Sequence, residues 1–269
     1  MKYCIGEFST ILGITRDTLR LYEKHDIVKP VKDDNNSYRY FNDLDARNLL
    51  MSRWYRSMQI SLQDVATLMK DSPVEVIADK IQESRLLLEE EIMKKGMLLQ
   101  KMEELHQEIR DIESNLYHCK IKEIPGLYRL KQTNKNSLLK VKELQGVVNE
   151  WMDLLPFTFY CFRIDNHDVS TNAEGNLDYS WGLTLTENDA HLLGVEINES
   201  MEYIPPAKCV TAVIKRSNDR YISWDSLQFM LDYVQENGYS IKGSIIGKII
   251  LTENQYGAKS TFMEVAIAI

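Results

Sequence analysis

The most regular pattern of apolar and polar positions lies between residues 72 and 118, where apolar side chains recur every three or four residues. The apolar positions are Val74, Ile77, Ile81, Leu88, Leu98, Met102, Leu105, Ile109, Ile112 and Leu116. The same heptad register also contains Ser84, Glu91 and Lys95. The spacing predicts one long helix, capped by Ser72 with Pro73 in its first turn, whose apolar stripe packs on a second helix. We expect a homodimer; a hairpin within one chain is the alternative.

Apolar runs typical of strands alternate with helical patterns from residue 120 onward. Strands are predicted over 127–130, 157–164, 179–185, 210–214, 245–251 and 262–269, and helices over 135–152 and 224–235. The order strand, helix, strand, strand occurs twice, which predicts a duplicated α+β unit.

Short helical patterns fill the first seventy residues, around a polar break at 32–37. Thr15 can cap a second helix that carries Arg16 and Arg20 one turn apart on one face. An exposed face with two arginines and small hydroxyl groups suits the major groove of DNA. Two strands around the polar break then form a wing, which offers Tyr38 and Arg39 to the phosphate backbone.

The fold class that these patterns indicate is α+β and multidomain. We expect a winged helix-turn-helix DNA-binding domain over 1–71, a coiled-coil dimerisation helix over 72–119 and a ligand-binding domain over 120–269. The net charge of −8 speaks against a nucleic-acid partner for the whole chain. Residues 1–70, however, carry +2, so the remainder carries −10, and the position of basic groups matters more than the total.

The cellular setting expected from the sequence is the cytoplasm. No apolar run approaches the roughly 18 residues that span a bilayer, and the N-terminal residues have no apolar signal segment. The four cysteines, Cys4, Cys119, Cys161 and Cys209, are scattered, as is usual for a reducing compartment. Because Cys119 and His118 have no third ligand nearby in sequence, we expect no metal site and no cofactor.

The N-terminal pattern resembles the MerR family of transcription regulators. The residues that carry the resemblance are Thr18-Leu19-Arg20-Leu21-Tyr22-Glu23-Lys24, Lys29-Pro30, Tyr38-Arg39-Tyr40-Phe41 and the stretch from Arg56 to Val65. Two residues depart from the family pattern, Ser37 in the wing and Asp26 in the first turn, where Gly is usual. The DNA contacts that we expect are Thr15, Arg16, Thr18, Arg20, Tyr22, Lys24, Lys29, Tyr38 and Arg39.

The family resemblance implies a mechanism. Such regulators bind double-stranded promoter DNA as homodimers joined by an antiparallel coiled coil. On binding an effector they bend and untwist the DNA, so that RNA polymerase can use a promoter with badly spaced elements. The protein supplies the deformation energy through many backbone contacts. An activator is therefore the expected type of regulator.

The C-terminal segment resembles the GyrI-like effector domain of multidrug-responsive members of that family. The resemblance rests on Ile204-Pro205-Pro206-Ala207, the repeated unit and the closing run 262–269. Ala268 stands where Pro is common, and residues 247–250 lack the usual acidic-then-aromatic motif. Because of these two departures, the resemblance does not by itself imply that this chain shares the preference of such domains for lipophilic cations.

The closing strand also indicates a ligand pocket by itself. Alternation places Met263, Val265, Ile267 and Ile269 on one face, and Phe262, Glu264, Ala266 and Ala268 on the other. A carboxylate with aromatic walls suits a planar or cationic organic effector; the alternative is a strand with one face in solvent. The expected effector contacts are Tyr160, Trp181, Tyr203, Tyr221, Trp224 and Glu264. We predict no catalytic residue, although a hydrolase with Glu264 as base and an architectural DNA binder without effector are alternatives.

Overall fold

The structure of the chain, a computed structural model, describes residues 2–33, 38–140, 144–165, 177–217 and 222–269. The chain forms two units, Met1–Met97 and Leu98–Ile269, and the boundary lies within one long helix. Each unit has its own buried core.

The first unit begins with a helix-turn-helix and a small wing. Its elements are β1 (Tyr3–Cys4), α1 (Ile5–Ile11), α2 (Arg16–Lys24), β2 (Val31–Lys32), β3 (Arg39–Phe41), α3 (Asp43–Ser57) and α4 (Leu62–Asp71). The three strands pair in the order β1-β3-β2. Thr15, Asn42 and Ser61 cap α2, α3 and α4 by accepting hydrogen bonds from backbone N–H groups of the first turn. These caps fix where each helix begins.

Two residues with positive φ make the sharp turns on either side of α2. Gly13, between α1 and α2, has φ of +63°, and Asp26, after α2, has φ of +58°. Asp is one of the few residues with a side chain that tolerates this left-handed region. Asp26 can therefore make this turn without a glycine.

The head core, the buried cluster around Phe8, Leu19, Phe41 and Leu49, joins all these elements. The Phe8 and Phe41 rings stack with centroids 4.8 Å apart. Ile77 and Ile81, two positions of the predicted coiled-coil stripe, pack on this same cluster. Part of the stripe therefore belongs to the head rather than to a partner helix.

The long helix α5 spans Val74–Arg110, which is shorter than the predicted 72–118. At 1.5 Å per residue it is about 55 Å long. The helix ends before Asp111, and a single turn, α6 (Ile112–Asn115), follows. The reason is packing, because Ile112 is buried against Val213 and Phe262 of the C-terminal sheet. The apolar spacing therefore continues into a segment that packs on the sheet.

The second unit is built on one large antiparallel sheet. Its strands are β4 (Lys120–Ile124), β5 (Leu127–Lys131), β8 (Phe159–Ile164), β9 (Ser180–Thr186), β10 (Glu202–Ile204), β11 (Ala207–Ser217), β12 (Ile245–Gln255) and β13 (Ala258–Ala268). They lie in the order β10-β5-β9-β8-β12-β13-β11-β4. The remaining elements are the β6–β7 ribbon (Thr133–Asn134, Ser137–Leu138), α7 (Gln145–Asp153), α8 (Glu187–Leu192), a 3-10 turn (Trp224–Ser226) and α9 (Gln228–Glu236).

The chain runs β5, β6, β7, α7, β8, β9 in the first half of this unit and β11, α9, β12, β13 in the second, so the β6–β7 ribbon interrupts the predicted order of strand, helix, strand, strand. The two halves are joined in the sheet by the pairing of β8 with β12. The predicted helix over 135–152 is wrong in its first part, because 137–138 form a strand and α7 begins only at Gln145.

The two faces of the large sheet differ in what covers them. On the helical face, Met263, Val265 and Ile267 of β13 pack with Leu227 and Met230 of the α9 region. This confirms the predicted buried face of the closing strand. The opposite face, which we call the polar face, carries Arg129, Cys161, Lys248 and Glu264, because side chains alternate along each strand.

Candidate nucleic-acid interface and effector site

The exposed face of α2 is basic. Arg16, Arg20 and Lys24 follow each other at intervals of four residues and all three are exposed, while Leu19 on the other side is buried. Arg20 makes an exposed ion pair with Asp17, at 3.2 Å between Nη1 and Oδ1. An exposed pair of this kind is worth little and is easily exchanged for a phosphate contact.

The start of α2 is fixed by two threonines that were predicted as DNA contacts. The Thr18 N–H donates to Thr15 Oγ1 at 3.1 Å, and the two hydroxyl groups lie 2.8 Å apart. Thr15 and Thr18 therefore hold the first turn of the basic helix at the surface.

The wing is joined to α2 by one ion pair. Arg39 Nε of β3 donates to Glu23 Oε1 of α2 at 2.8 Å, and its side chain keeps 42% of its surface exposed. Tyr38 and the Lys29 side chain are also exposed. The helix and the wing thus present their basic groups as parts of one surface of the head.

The structure changes the predicted contact list in two places. Tyr22 is only 7% exposed and belongs to the head core, so it is a packing residue and not a surface contact. Lys32, which falls in the polar break of the sequence, is exposed and lies directly across the ladder from Arg39. Alternation along the two strands beside the break would have indicated Lys32, but strands of two and three residues are too short to show it.

This geometry agrees with a family comparison. Residues 3–72 match the family model described as MerR HTH family regulatory protein. Residues 3–72 form a MerR-type helix-turn-helix domain. The match covers all elements of the MerR-type head from β1 to α4.

The chain also has low similarity to several solved structures. An EcmrR–DNA complex determined by cryo-electron microscopy is 20% identical, with 99% of this chain and all of that chain covered and a TM-score of 0.38. A MerR family regulator from Bacillus cereus is 21% identical over 41% of this chain and 84% of its own, with a TM-score of 0.36. HiNmlR, bound to promoter DNA, is 21% identical over 42% of this chain and 96% of its own, with a TM-score of 0.32. A search of curated proteins finds no match.

Outside the MerR-type head, the predicted aromatic effector contacts lie on the helical face of the sheet. Tyr160 and Trp181 stack with centroids 5.3 Å apart and planes 3° apart. Trp224 packs on the core of that face, and Tyr203 is the ladder partner of Tyr128. Tyr221 lies outside the described residues. The structure therefore brings Tyr160 and Trp181 together, but places them on one side of the sheet and Glu264 on the other.

Glu264 lines a cavity of about 640 Å³ on the polar face. Its carboxylate accepts a hydrogen bond from Lys122 Nζ of β4 at 2.9 Å. Residues of α5, among them Glu104, Glu108 and Asp111, form the other wall, and Val213 and Ile250 add apolar surface. This wall could not be predicted from sequence, because the spacing of α5 indicates a dimer helix and does not show that its last turns meet the sheet.

A second charged contact crosses from α5 to the sheet beside this cavity. Lys248 Nζ of β12 donates to both carboxylate oxygens of Glu108, at 2.6 and 2.7 Å. Lys101, two turns before Glu108 on α5, forms an ion pair with the buried Asp189, with 3.1 Å between Nζ and Oδ2. These ion pairs attach the end of α5 to the C-terminal sheet and its surroundings.

The cysteines of the second unit are held as thiols. Burial raises the pKa of Cys119 and of Cys161, and it raises the pKa of Cys209 to about 11, with the carboxylates of Glu123 and Glu264 adding to the shift. Thiolate is the form that binds metal, so such thiols are poor ligands near neutral pH. Among the described residues, no group of three or more His, Cys, Asp or Glu side chains is placed to hold a metal ion. Nor does any helix in those ranges have the length and apolarity to cross a membrane.

Proposed function

We propose that this protein is a homodimeric transcription regulator of the MerR type, which binds promoter DNA through its head and a small organic effector through its C-terminal unit. The observation that carries the proposal is the single basic surface made by α2 and the wing of a MerR-type head. Its members are Arg16, Arg20, Lys24, Lys29, Lys32, Tyr38 and Arg39.

The arrangement of this surface suits a duplex. A short helix with basic residues on its exposed face can enter the major groove, while a wing beside it contacts the backbone. The head is the basic part of an otherwise acidic chain, so phosphates are attracted to this region and repelled by the rest. We propose that the protein acts as an activator by bending and untwisting the promoter for RNA polymerase, at an energetic cost supplied by backbone contacts.

Dimerisation is supported by the middle of α5. The helix α5 has no buried residue, and four members of the predicted stripe are exposed, namely Leu88, Leu98, Met102 and Ile109. An isolated helix gains most of its stability by burying such a stripe. A second copy of the same helix offers a matching stripe, so we propose a coiled coil between two chains.

Effector binding is supported by the cavity beside Glu264. It is large enough for a small organic molecule and is lined by carboxylates with a few apolar side chains. We propose a GyrI-like role for the C-terminal unit, with the ligand on the polar face. The stacked Tyr160 and Trp181 are then part of the core that supports the sheet.

The first test measures DNA affinity of the full chain for a mixed-sequence duplex as a function of salt. Arg20→Ala and Arg39→Ala should each weaken binding and lower the steepness of the log K against log salt line by about 1 for each phosphate that the side chain neutralises. Lys94→Ala, an exposed charge on α5, is the matched control and should leave the slope unchanged. Unchanged slopes in both arginine variants, with the fold intact by circular dichroism, would refute the interface.

A further inference from the structure

Lys248 occupies a site whose chemistry is that of a receptor for organic cations. Its ammonium is 5.2 Å from the centroid of the Phe159 ring and within hydrogen-bond distance of both Glu108 oxygens. An aromatic face with a carboxylate is how proteins recognise ammonium groups. Here the recognised ammonium belongs to the protein itself.

The position of Lys248 in the sheet makes this contact specific. Lys248 is the ladder partner of Glu264 on β13 and of Cys161 on β8, and Phe159 lies two residues from Cys161 on the same face. The side chain therefore stands at the middle of the polar face, where the two halves of the sheet meet. Glu108, its partner, reaches it from the last turn of α5.

The neighbouring carboxylate, that of Glu264, is also paired with a lysine of the same chain. Lys122 holds Glu264 at 2.9 Å, while Lys248 holds Glu108. Both glutamates line the cavity, and the Lys248 and Glu108 side chains are 20% and 33% exposed. Each lysine thus satisfies a carboxylate that would otherwise be open to a cation from solution.

We propose that Lys248 is an internal cation which fills the Phe159–Glu108 site, and that an organic ammonium ligand binds by displacing it. The inference rests on the proposed effector role and deepens it, because it states how binding is coupled to α5. When the ligand takes over Glu108, the ion pair that joins α5 to β12 is broken. The ligand then pairs with Glu108 in place of Lys248, so that α5 is no longer held to β12 by this ion pair.

A tethered competitor lowers the apparent affinity of any external ligand, because the site is free only for the fraction of time in which the lysine is detached. Removal of the lysine charge should therefore strengthen binding rather than weaken it. A purely structural ion pair would give the opposite result, since its removal leaves a partly buried carboxylate uncompensated without gain for the ligand.

The experiment uses the full chain and benzyltrimethylammonium as probe, with benzyl alcohol as the uncharged comparison, and measures binding by calorimetry. Lys248→Met and Lys248→Gln should each bind the cation at least about tenfold tighter than the parent chain, with no gain for benzyl alcohol. The Glu108→Gln change added to Lys248→Met should abolish the gain. Lys242→Met, which removes an exposed charge just before β12, is the matched control.

The result that overturns the inference is a folded Lys248 variant with no gain, or an equal gain in Lys242→Met. The second result would show a general charge effect. Failure of the effector proposal is distinguishable, because it would appear as absence of any effector-dependent change in DNA binding while the Lys248 variants still gain affinity for the cation.

Discussion

Asp45 is the residue that ties the wing to the rest of the head. It is 4% exposed, and its two carboxylate oxygens accept hydrogen bonds from the Lys29 N–H at 2.8 Å and the Asn42 N–H at 3.0 Å. Asn42 in return caps α3 through its own side chain. One buried carboxylate therefore fixes both the entry to the wing and the start of α3.

Asp45→Asn should lower the free energy of unfolding by about 1–3 kcal/mol, because the new amide turns an N–H towards a buried N–H donor. Urea denaturation of the full chain would measure the change. Asp43→Asn, in the same helical turn but exposed, serves as control and should change the free energy by less than about 0.5 kcal/mol. Equal effects in both variants would contradict the tie between wing and helix.

At this scale, the sequence predicted the surface residues of α2 well and the wing less well. The Thr15 cap and the four-residue spacing of Arg16 and Arg20 follow from local rules that need no tertiary knowledge. Tyr22 was misplaced because its side chain belongs to the same buried cluster as Phe8 and Phe41, which are distant in sequence. A tyrosine on a short helix can be either buried or exposed, and which of the two it is depends on the packing of the whole core.

The helix α5 carries an apolar stripe that is exposed to solvent in the single chain. Leu88 is 39% exposed on the apolar side of the helix, and Leu86, 53% exposed, lies two residues away on the opposite side. The two leucines have similar exposure but different expected partners. They form a matched pair for testing the dimer.

Leu88→Asp should convert the dimer into a monomer, because it places a charge in the proposed seam, whereas Leu86→Asp should leave the dimer intact. Sedimentation equilibrium of the full chain would separate the two species. Persistence of a dimer in Leu88→Asp, or dissociation of both variants, would count against this seam.

The ends of α5 illustrate what periodicity does not decide. Ile81 and Ile112 continue the same three-to-four spacing as Leu88, yet Ile81 packs on the head core and Ile112 on the C-terminal sheet. Spacing reports that one side of a helix is buried, but not by what. The same limit applies to the closing strand, where alternation correctly placed Met263 and Glu264 on opposite faces but could not assign Trp181 to either.

The whole molecule combines a basic head with a strongly acidic remainder, and the proposed cavity is lined by part of that acid. A ligand that binds the folded chain stabilises it. At a concentration of 100 times its dissociation constant, the gain is about 2.7 kcal/mol. An architectural DNA binder with no effector would show no such gain for any compound.

A thermal-shift screen of organic ammonium and planar aromatic compounds against the full chain should therefore find ligands that raise the melting temperature. Glu264→Gln should reduce the shift for the charged hits, while Glu253→Gln, on β12 and outside the cavity lining, should not. Mass analysis after incubation should recover each ligand unchanged, since no catalytic role is proposed. A hydrolysed product would favour an enzyme instead.

The close packing of Phe162 on Gly247, next to Lys248, restricts which substitutions can accumulate at these two positions. The Phe162 ring of the neighbouring strand lies so close over Gly247 that a methyl group there would overlap the ring. Position 247 cannot take a side chain while the Phe162 ring is present, so a larger residue at 247 requires a smaller one at 162. Lineages that replace this glycine should therefore carry a compensating change at 162, and a single early substitution at Phe162 would open a route that is otherwise closed.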